Sequence, residues 1–440
     1  MQKAIYYIAM NNILKLSEDG NTIIGVNNKS ITHITIPEGV TTIGDSAFYG
    51  CSSLQSINIP NCVTTIGDSA FYGCSSLQSI DIPNCVTTIR DSAFYGCSAL
   101  QSIDIPNSVT TIGGRVFWGC SALQCIDIPN CVTTIGERVF WGCSALKSID
   151  IPNSVTTIGY GAFSGCSSLQ SIDIPNSVTT IGGIAFRGCS ALQCINVSDD
   201  NPNYTSVDGI LFNKELSSII KLPEGGKIEV YNIPKSITAI EEWAFWGCSA
   251  LKSIDIPDSV TTIGYGAFNG CSSLQSINVS DDNPNYTSVD GILFNKQLST
   301  IIKFPQGGNI EVYNIPNSVT TIGDSAFSGC SSLQSINIPN CVTTIGDSAF
   351  YGCSALQSID IPNSVKTIEG CAFEGCSALK SIHLHWTKLD SIQFIIKDTF
   401  GKNNKVNFEE CTLYVPPGTR WEYRHHTVFG QFKNIEIEKQ

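Results

Sequence analysis

The stretch Val63-Thr-Thr-Ile-Gly-Asp-Ser-Ala-Phe-Tyr-Gly-Cys-Ser-Ser-Leu-Gln-Ser-Ile-Asp-Ile-Pro83 returns almost word for word every 23 residues through most of the chain. A fixed period of this length is the mark of a solenoid, in which each repeat is one coil stacked on the next. Ile-Pro pairs set the register at Ile36, Ile59, Ile82, Ile105, Ile128, Ile151 and Ile174, and again at Ile233, Ile256, Ile315, Ile338 and Ile361.

Within one unit Leu77-x-x-Ile80-x-Ile82 fits a short strand that points alternate residues inward. Val86-Thr-Thr-Ile89 is a second extended piece, rich in β-branched residues. Ala93-Phe94-x-x-Cys97 turns the chain back, and a short helical or 3-10 turn is expected there. One coil buries too few side chains to offset the backbone entropy of ordering it, so the folding unit is the array. The predicted fold is a repeat solenoid of the leucine-rich type, mainly β, with short parallel strands in each coil.

Outward from the regular array, residues 31–384, the pattern breaks in four places. Residues 1–30 read as an N-terminal capping hairpin, with Asp19-Gly20 as the turn between Ile13-Leu-Lys-Leu16 and Thr22-Ile-Ile-Gly-Val26. Two units, 197–232 and 279–314, lengthen from 23 to 36 residues, lack the Ala-Phe-x-x-Cys element and share Asn-Pro-Asn-Tyr-Thr-Ser-Val-Asp-Gly-Ile-Leu-Phe. A hairpin is expected to replace the return turn in both. Residues 385–440 follow no repeat and read as an irregular C-terminal cap.

The chain of 440 residues carries a formal net charge of −13, yet only 14% of its residues are charged. That balance excludes a phosphate-binding surface of clustered Lys and Arg, so no nucleic-acid partner is expected. No apolar run approaches a membrane span. Met1-Gln-Lys-Ala-Ile-Tyr-Tyr-Ile-Ala-Met10 has one lysine and a short apolar patch, which does not make a convincing export leader.

Of the 20 cysteines, twelve fall in one column, from Cys51 and Cys74 to Cys353 and Cys376. Each would have two equal neighbours and no unique disulfide partner, so they read as small buried core residues. Cys62, Cys85, Cys131 and Cys341 occupy a position that is serine in Ser108, Ser154, Ser177 and Ser259, which again says small rather than ligand. No Cys-x-x-Cys spacing occurs, and no metal or cofactor is expected.

The motif Ile-Pro-x-x-Val-Thr-x-Ile-Gly-x-x-Ala-Phe-x-x-Cys-x-x-Leu-x-x-Ile resembles the BspA-like leucine-rich repeat. The longer units, Asn201 to Phe212 and Asn283 to Phe294, are similar to that family's irregular repeat, as is the closing Tyr414-Val-Pro-Pro-Gly-Thr419. The resemblance implies a surface or secreted protein that binds other proteins, with some members acting as adhesins for matrix proteins such as fibronectin and fibrinogen. An intracellular protein-interaction scaffold in the cytoplasm is the alternative, favoured by the reduced cysteine column and the N-terminal reading above.

Repetition turns single residues into rows. Asp81, Asp104, Asp127, Asp150 and Asp173 should face solvent on the concave side, each about 4.8 Å from the next, a stripe suited to a basic partner segment. Tyr49, Tyr72, Tyr95, Trp118 and Trp141 follow the repeated Phe (Ala-Phe, Val-Phe in two) and form a second row at one edge. Aromatic anchors dominate binding hot spots, while the plainer reading has the rings half buried over the return turns. His383-x-His385 puts two rings on one strand face near Asp360, weak grounds for a metal. No nucleophile elbow, Walker or dinucleotide motif appears, so catalysis is not expected.

Overall fold

A computed structural model describes residues 13–389, 392, 394–395, 398–401 and 406–438. Residues 1–12, and with them the start of the expected N-terminal cap, lie outside the described residues, as do parts of 385–440. The chain divides into two compact units, Met1–Gly226 and Lys227–Gln440.

In the first unit the coils meet in register one repeat apart. Ser79–Asp81 pairs in parallel with Ser102–Asp104, Ile80 opposite Ile103 and Asp81 opposite Asp104. Thr42–Ile43, Thr65–Ile66, Thr88–Ile89 and Thr111–Ile112 form a second parallel ladder. Strand Leu14–Leu16 runs antiparallel to Thr22–Val26, which then joins that ladder through Ile23 opposite Ile43. The alternation of the sequence is realised: Ile80 and Ile82 are buried and Asp81 is exposed.

The return segment is not a helical turn. Ser46 adopts φ +57°, and Ser69, Ser92, Arg115 and Arg138 at the same position adopt +53° to +57°. A left-handed residue cannot continue a right-handed helix, so the chain makes successive tight turns instead. These turns bond across coils: the N–H groups of Ser46, Phe48 and Gly50 donate to the carbonyls of Asp68, Ala70 and Tyr72 at 2.7–2.8 Å. The return side therefore has its own ladder, which satisfies backbone that would otherwise be buried unpaired.

Inside, Phe48, Phe71, Phe94, Phe117, Phe140, Phe163 and Phe186 stack in offset pairs with centroids 5.2–5.9 Å apart. All twelve column cysteines are buried free thiols. They are more than small fillers. Cys97 Sγ donates to the Phe71 carbonyl at 3.2 Å and Cys120 Sγ to that of Phe94 at 3.2 Å, so the thiol gives that carbonyl a partner that alanine could not.

The expected strand at every Ile-Asp-Ile fails twice. Cys125–Ile128 and Ser148–Ile151 form no strand. There Asp104, Asp127, Asp150 and Asp173 follow one another, a run of like charges on one face, although Asp81 and Asp104 do pair. Where asparagine follows instead, the ladder closes over four residues: Ser171–Ile174 pairs with Cys194–Val197, and Asn196 Nδ2 donates to Asp173 Oδ1 at 2.7 Å.

The long unit of this half carries three antiparallel strands rather than one hairpin: Tyr204–Val207, Ile210–Asn213 and Ser218–Lys221. Its anchor is Asn201, fully buried. Asn201 Nδ2 donates to the carbonyls of Pro175 (2.8 Å) and Val178 (2.9 Å), and Oδ1 accepts from the N–H groups of Asn203 and Tyr204 at 2.9 Å each. The Tyr204 hydroxyl accepts from the Ile181 N–H at 2.9 Å, sealing the strand edge beside it.

The second unit repeats this construction. Tyr286–Val289, Ile292–Asn295 and Thr300–Lys303 form the antiparallel strands, and Asn283 makes the same four bonds as Asn201. Parallel pairing runs on beyond the regular repeats: Ile382 lies opposite Leu413, and Leu413 opposite Ile435. A short helix, Arg420–His425, buries Tyr423, whose hydroxyl donates to the Trp386 carbonyl at 3.0 Å.

Candidate interaction surface

The two rows of candidate residues belong to the first unit. Asp81, Asp104, Asp127, Asp150 and Asp173 are all exposed. Each stands between two inward isoleucines, so the pleat directs it outward. Asp173 is bonded to Asn196, and Asp81 lies opposite Asp104.

The aromatic row forms a continuous stack. Tyr49 lies on Tyr72 (centroids 4.8 Å, planes at 14°), and Tyr72 on Tyr95 (4.4 Å, 6°). Tyr95 meets Trp118 at 5.3 Å and 33°, and Trp118 lies on Trp141 at 5.1 Å and 21°. Coil stacking dictates this arrangement, because identical positions recur at about the thickness of an aromatic ring plus its contact distance. Tyr49 at the open end is exposed, and the other four are half buried. Ring faces are covered by neighbouring rings, which leaves ring edges at the surface. Burial and the flanking phenols Tyr95 and Tyr49 push the Tyr72 pKa up.

Cations border both ends of this stack. Lys29 Nζ stands 5.4 Å from the Tyr49 centroid. Arg138 Cζ stands 5.6 Å from Trp118, 5.4 Å from Trp141 and 5.1 Å from Tyr160, a cation–π cluster. Glu137 pairs with Arg138 and, at 3.0 Å, with Arg115. Sequence reasoning placed the row but missed Arg138 as its organiser, since an arginine before Val-Phe gives no sign of which rings it covers.

The tryptophan end also depends on a missing side chain. Gly161 adopts φ +61°, and a Cβ there would sit 2.8 Å from the Trp141 ring. The Cε3–Cζ3 side of the Trp141 ring therefore rests against a glycine of the next coil.

His383 and His385 in the second unit are engaged by carboxylates. His383 Nδ1 donates to Glu438 Oε1 at 2.8 Å and His385 Nε2 to Asp360 Oδ1 at 2.6 Å, while the His383 ring stacks on Tyr414 at 4.6 Å. Among the described residues no group of three or more His, Cys, Asp or Glu is placed to hold a metal ion. No helix among them is long and apolar enough to cross a membrane.

Comparison with known proteins follows the same lines. The family described as "BspA type Leucine rich repeat region (6 copies)" matches residues 26–147, 133–230, 224–307 and 302–412. A leucine rich cell surface protein from Faecalibacterium prausnitzii is 32% identical, over 86% of this chain and 94% of that one, with a TM-score of 0.58. A leucine-rich repeat protein from Bacteroides ovatus is 26% identical, over 97% and 98% of the two chains, with a TM-score of 0.50. No curated protein matches the chain. The coils, their register and these matches agree on a repeat scaffold for protein interaction, and the chain belongs to the BspA-type leucine-rich repeat family.

Proposed function

We propose that this protein is a non-catalytic binding scaffold at the cell surface or secreted from the cell, where it acts as an adhesin for extracellular matrix or other surface proteins. The aromatic row Tyr49, Tyr72, Tyr95, Trp118 and Trp141 is the proposed contact, with the carboxylate row Asp81, Asp104, Asp127, Asp150 and Asp173 receiving basic segments of the partner. The observation that carries this reading is the stack itself: five rings held in place by their neighbours lose little side-chain freedom when a partner covers their edges. Similarity to a protein described as a cell surface protein supports the location.

Immobilised fibronectin and fibrinogen, tested for capture of the intact chain, probe this proposal. Trp118→Ala with Trp141→Ala should abolish capture while the circular dichroism spectrum is kept. Capture unchanged in the double variant eliminates the aromatic row.

A second reading, an intracellular protein-interaction scaffold, is favoured by one feature. Cys85, Cys125 and Cys131 are exposed free thiols, which suits a reducing compartment. Fractionation of the native cells with an antibody to the chain separates the two readings.

A further inference from the structure

The two long units differ at the lysine each one buries. In the first, Lys221 Nζ lies 3.0 Å from Glu224 Oε1, with both side chains almost fully buried. Glu224 Oε1 also accepts from the Gly188 N–H at 2.8 Å. The corresponding residues of the second long unit are Lys303 and Gln306, so the counter-ion is replaced by an amide. Lys303 is 3% exposed. Its ammonium donates to Asn269 Oδ1 (3.0 Å), the Ser325 carbonyl (2.9 Å) and the Ser328 carbonyl (3.3 Å), all uncharged. Burial pushes the Lys303 pKa down. A buried ammonium held only by neutral oxygens keeps most of its desolvation cost.

This lysine borders a cavity of about 280 Å³ that Ile263, Tyr265, Phe268, Asn269 and Asp324 also line. Asn269 is 8% exposed. Lysine only donates, so the atom bonded to it is the amide oxygen, and the Asn269 orientation is settled. Among the described residues the Asn269 Nδ2 group donates to no protein acceptor, and it is not one of the buried atoms left without a partner, so its N–H groups are accessible from the cavity. Two N–H groups and a buried positive charge thus stand together at the cavity wall. Asp324 supplies a carboxylate to the same cavity; its Oδ1 accepts from the Asp347 N–H at 3.0 Å. Ile263 and Phe268 add apolar lining.

We propose that this cavity binds a free apolar α-amino acid. The ligand carboxylate accepts from Asn269 Nδ2 in the field of Lys303, its ammonium meets Asp324, and its side chain packs on Ile263 and Phe268. Other small molecules satisfy fewer of these groups. A phosphate or other pure anion faces the Asp324 carboxylate, a pure cation faces Lys303, and a neutral apolar molecule leaves the Asn269 N–H groups unpaired. The volume lies just below the range of pockets for drug-sized ligands, which suits a molecule of amino-acid size.

The test is calorimetric titration of the full chain with L-leucine, 3-methylbutanoate and 3-methylbutylammonium. Leucine should bind saturably at a single site, and each half-ligand at least about tenfold more weakly, a loss of about 1.4 kcal/mol. Asn269→Asp is the deciding variant. It retains an acceptor for Lys303 and gives it a counter-ion, so the fold is kept, but it opposes the ligand carboxylate. Leucine affinity should drop at least about tenfold in that variant while the thermal midpoint does not fall. Absence of saturable leucine binding, a half-ligand that binds as tightly as leucine, or unchanged affinity in the folded variant overturns the proposal.

Discussion

The Cys97 thiol donates to the Phe71 carbonyl across 3.2 Å, and the same contact recurs in other coils, as in Cys74 on Phe48 and Cys376 on Phe350. Burial pushes the thiols of Cys120 and Cys330 up to about 12. Reactivity follows the thiolate, so the native column should resist a maleimide at neutral pH. Exposed Cys85, Cys125 and Cys131 should be modified within the same time. Peptide mass spectrometry before and after denaturation reads the pattern; modification of Cys97 or Cys120 in the folded protein contradicts it.

Repulsion along the carboxylate row predicts a stabilising substitution. Asp150→Asn removes one charge between Asp127 and Asp173 and offers an amide donor of the kind Asn196 gives Asp173. A gain of about 0.2–1 kcal/mol is expected. Added salt should raise the thermal midpoint of the parent more than that of the variant, because screening acts on the same repulsion. Equal salt dependence in both proteins counts against repulsion along the row.

Trp141 and Gly161 should be energetically coupled. Gly161→Ala places a methyl group 2.8 Å from the indole and strains a left-handed backbone, at a cost of about 1–3 kcal/mol. In a Trp141→Ala background the steric part disappears and only the backbone part remains. A double-mutant cycle in urea measures the difference, and additive effects would show that the ring does not rest on the glycine.

Acidification should loosen the C-terminal segment through His426. Burial holds its pKa below the ordinary 6.5, and its Nδ1 accepts from the Val428 N–H at 3.2 Å. The unfolded chain therefore takes up the proton more readily, and stability from this group falls as pH drops through 6.5 toward the depressed folded value. Below the folded value the loss is complete, and above 6.5 it is absent. Hydrogen exchange at the Val428 amide, compared from about pH 7.5 to about pH 5.5, should show faster opening in acid after correction for intrinsic rates. His426→Gln should flatten that dependence.

What repeated was readable. Ile80, Phe94 and Cys97 each recur at fixed spacing, so one unit's pattern declares the coil, its inward face and the columns. Features set by contacts between unlike residues were not. Asn201 sits in Ser198-Asp-Asp-Asn-Pro-Asn203, a run that reads as solvated loop, yet it is fully buried and satisfied by four bonds. The left-handed position before Ala-Phe or Val-Phe holds Ser92, Arg138, Ile184 and Trp243, none of which advertises a positive φ. For the candidate surface, the positions of Tyr49 to Trp141 were visible but the covering of one ring face by the next was not, because it depends on coil spacing and rotamer together. The uncompensated charge of Lys303 depends on replacement of Glu224 by Gln306 between two nearly identical segments, a difference without meaning until both lysines are seen to be buried.

The phenylalanine stack has a genetic consequence. Phe94 meets Phe71 on one side and Phe117 on the other with almost the same geometry, so excising the copy that carries Phe117 would bring Phe94 against Phe140 without presenting it to a stranger. Unequal crossing-over between copies of the coding sequence can thus add or delete whole turns at little energetic penalty. The number of turns, and with it the reach of any surface row laid along them, is a quantity that a lineage can tune by recombination faster than by point mutation.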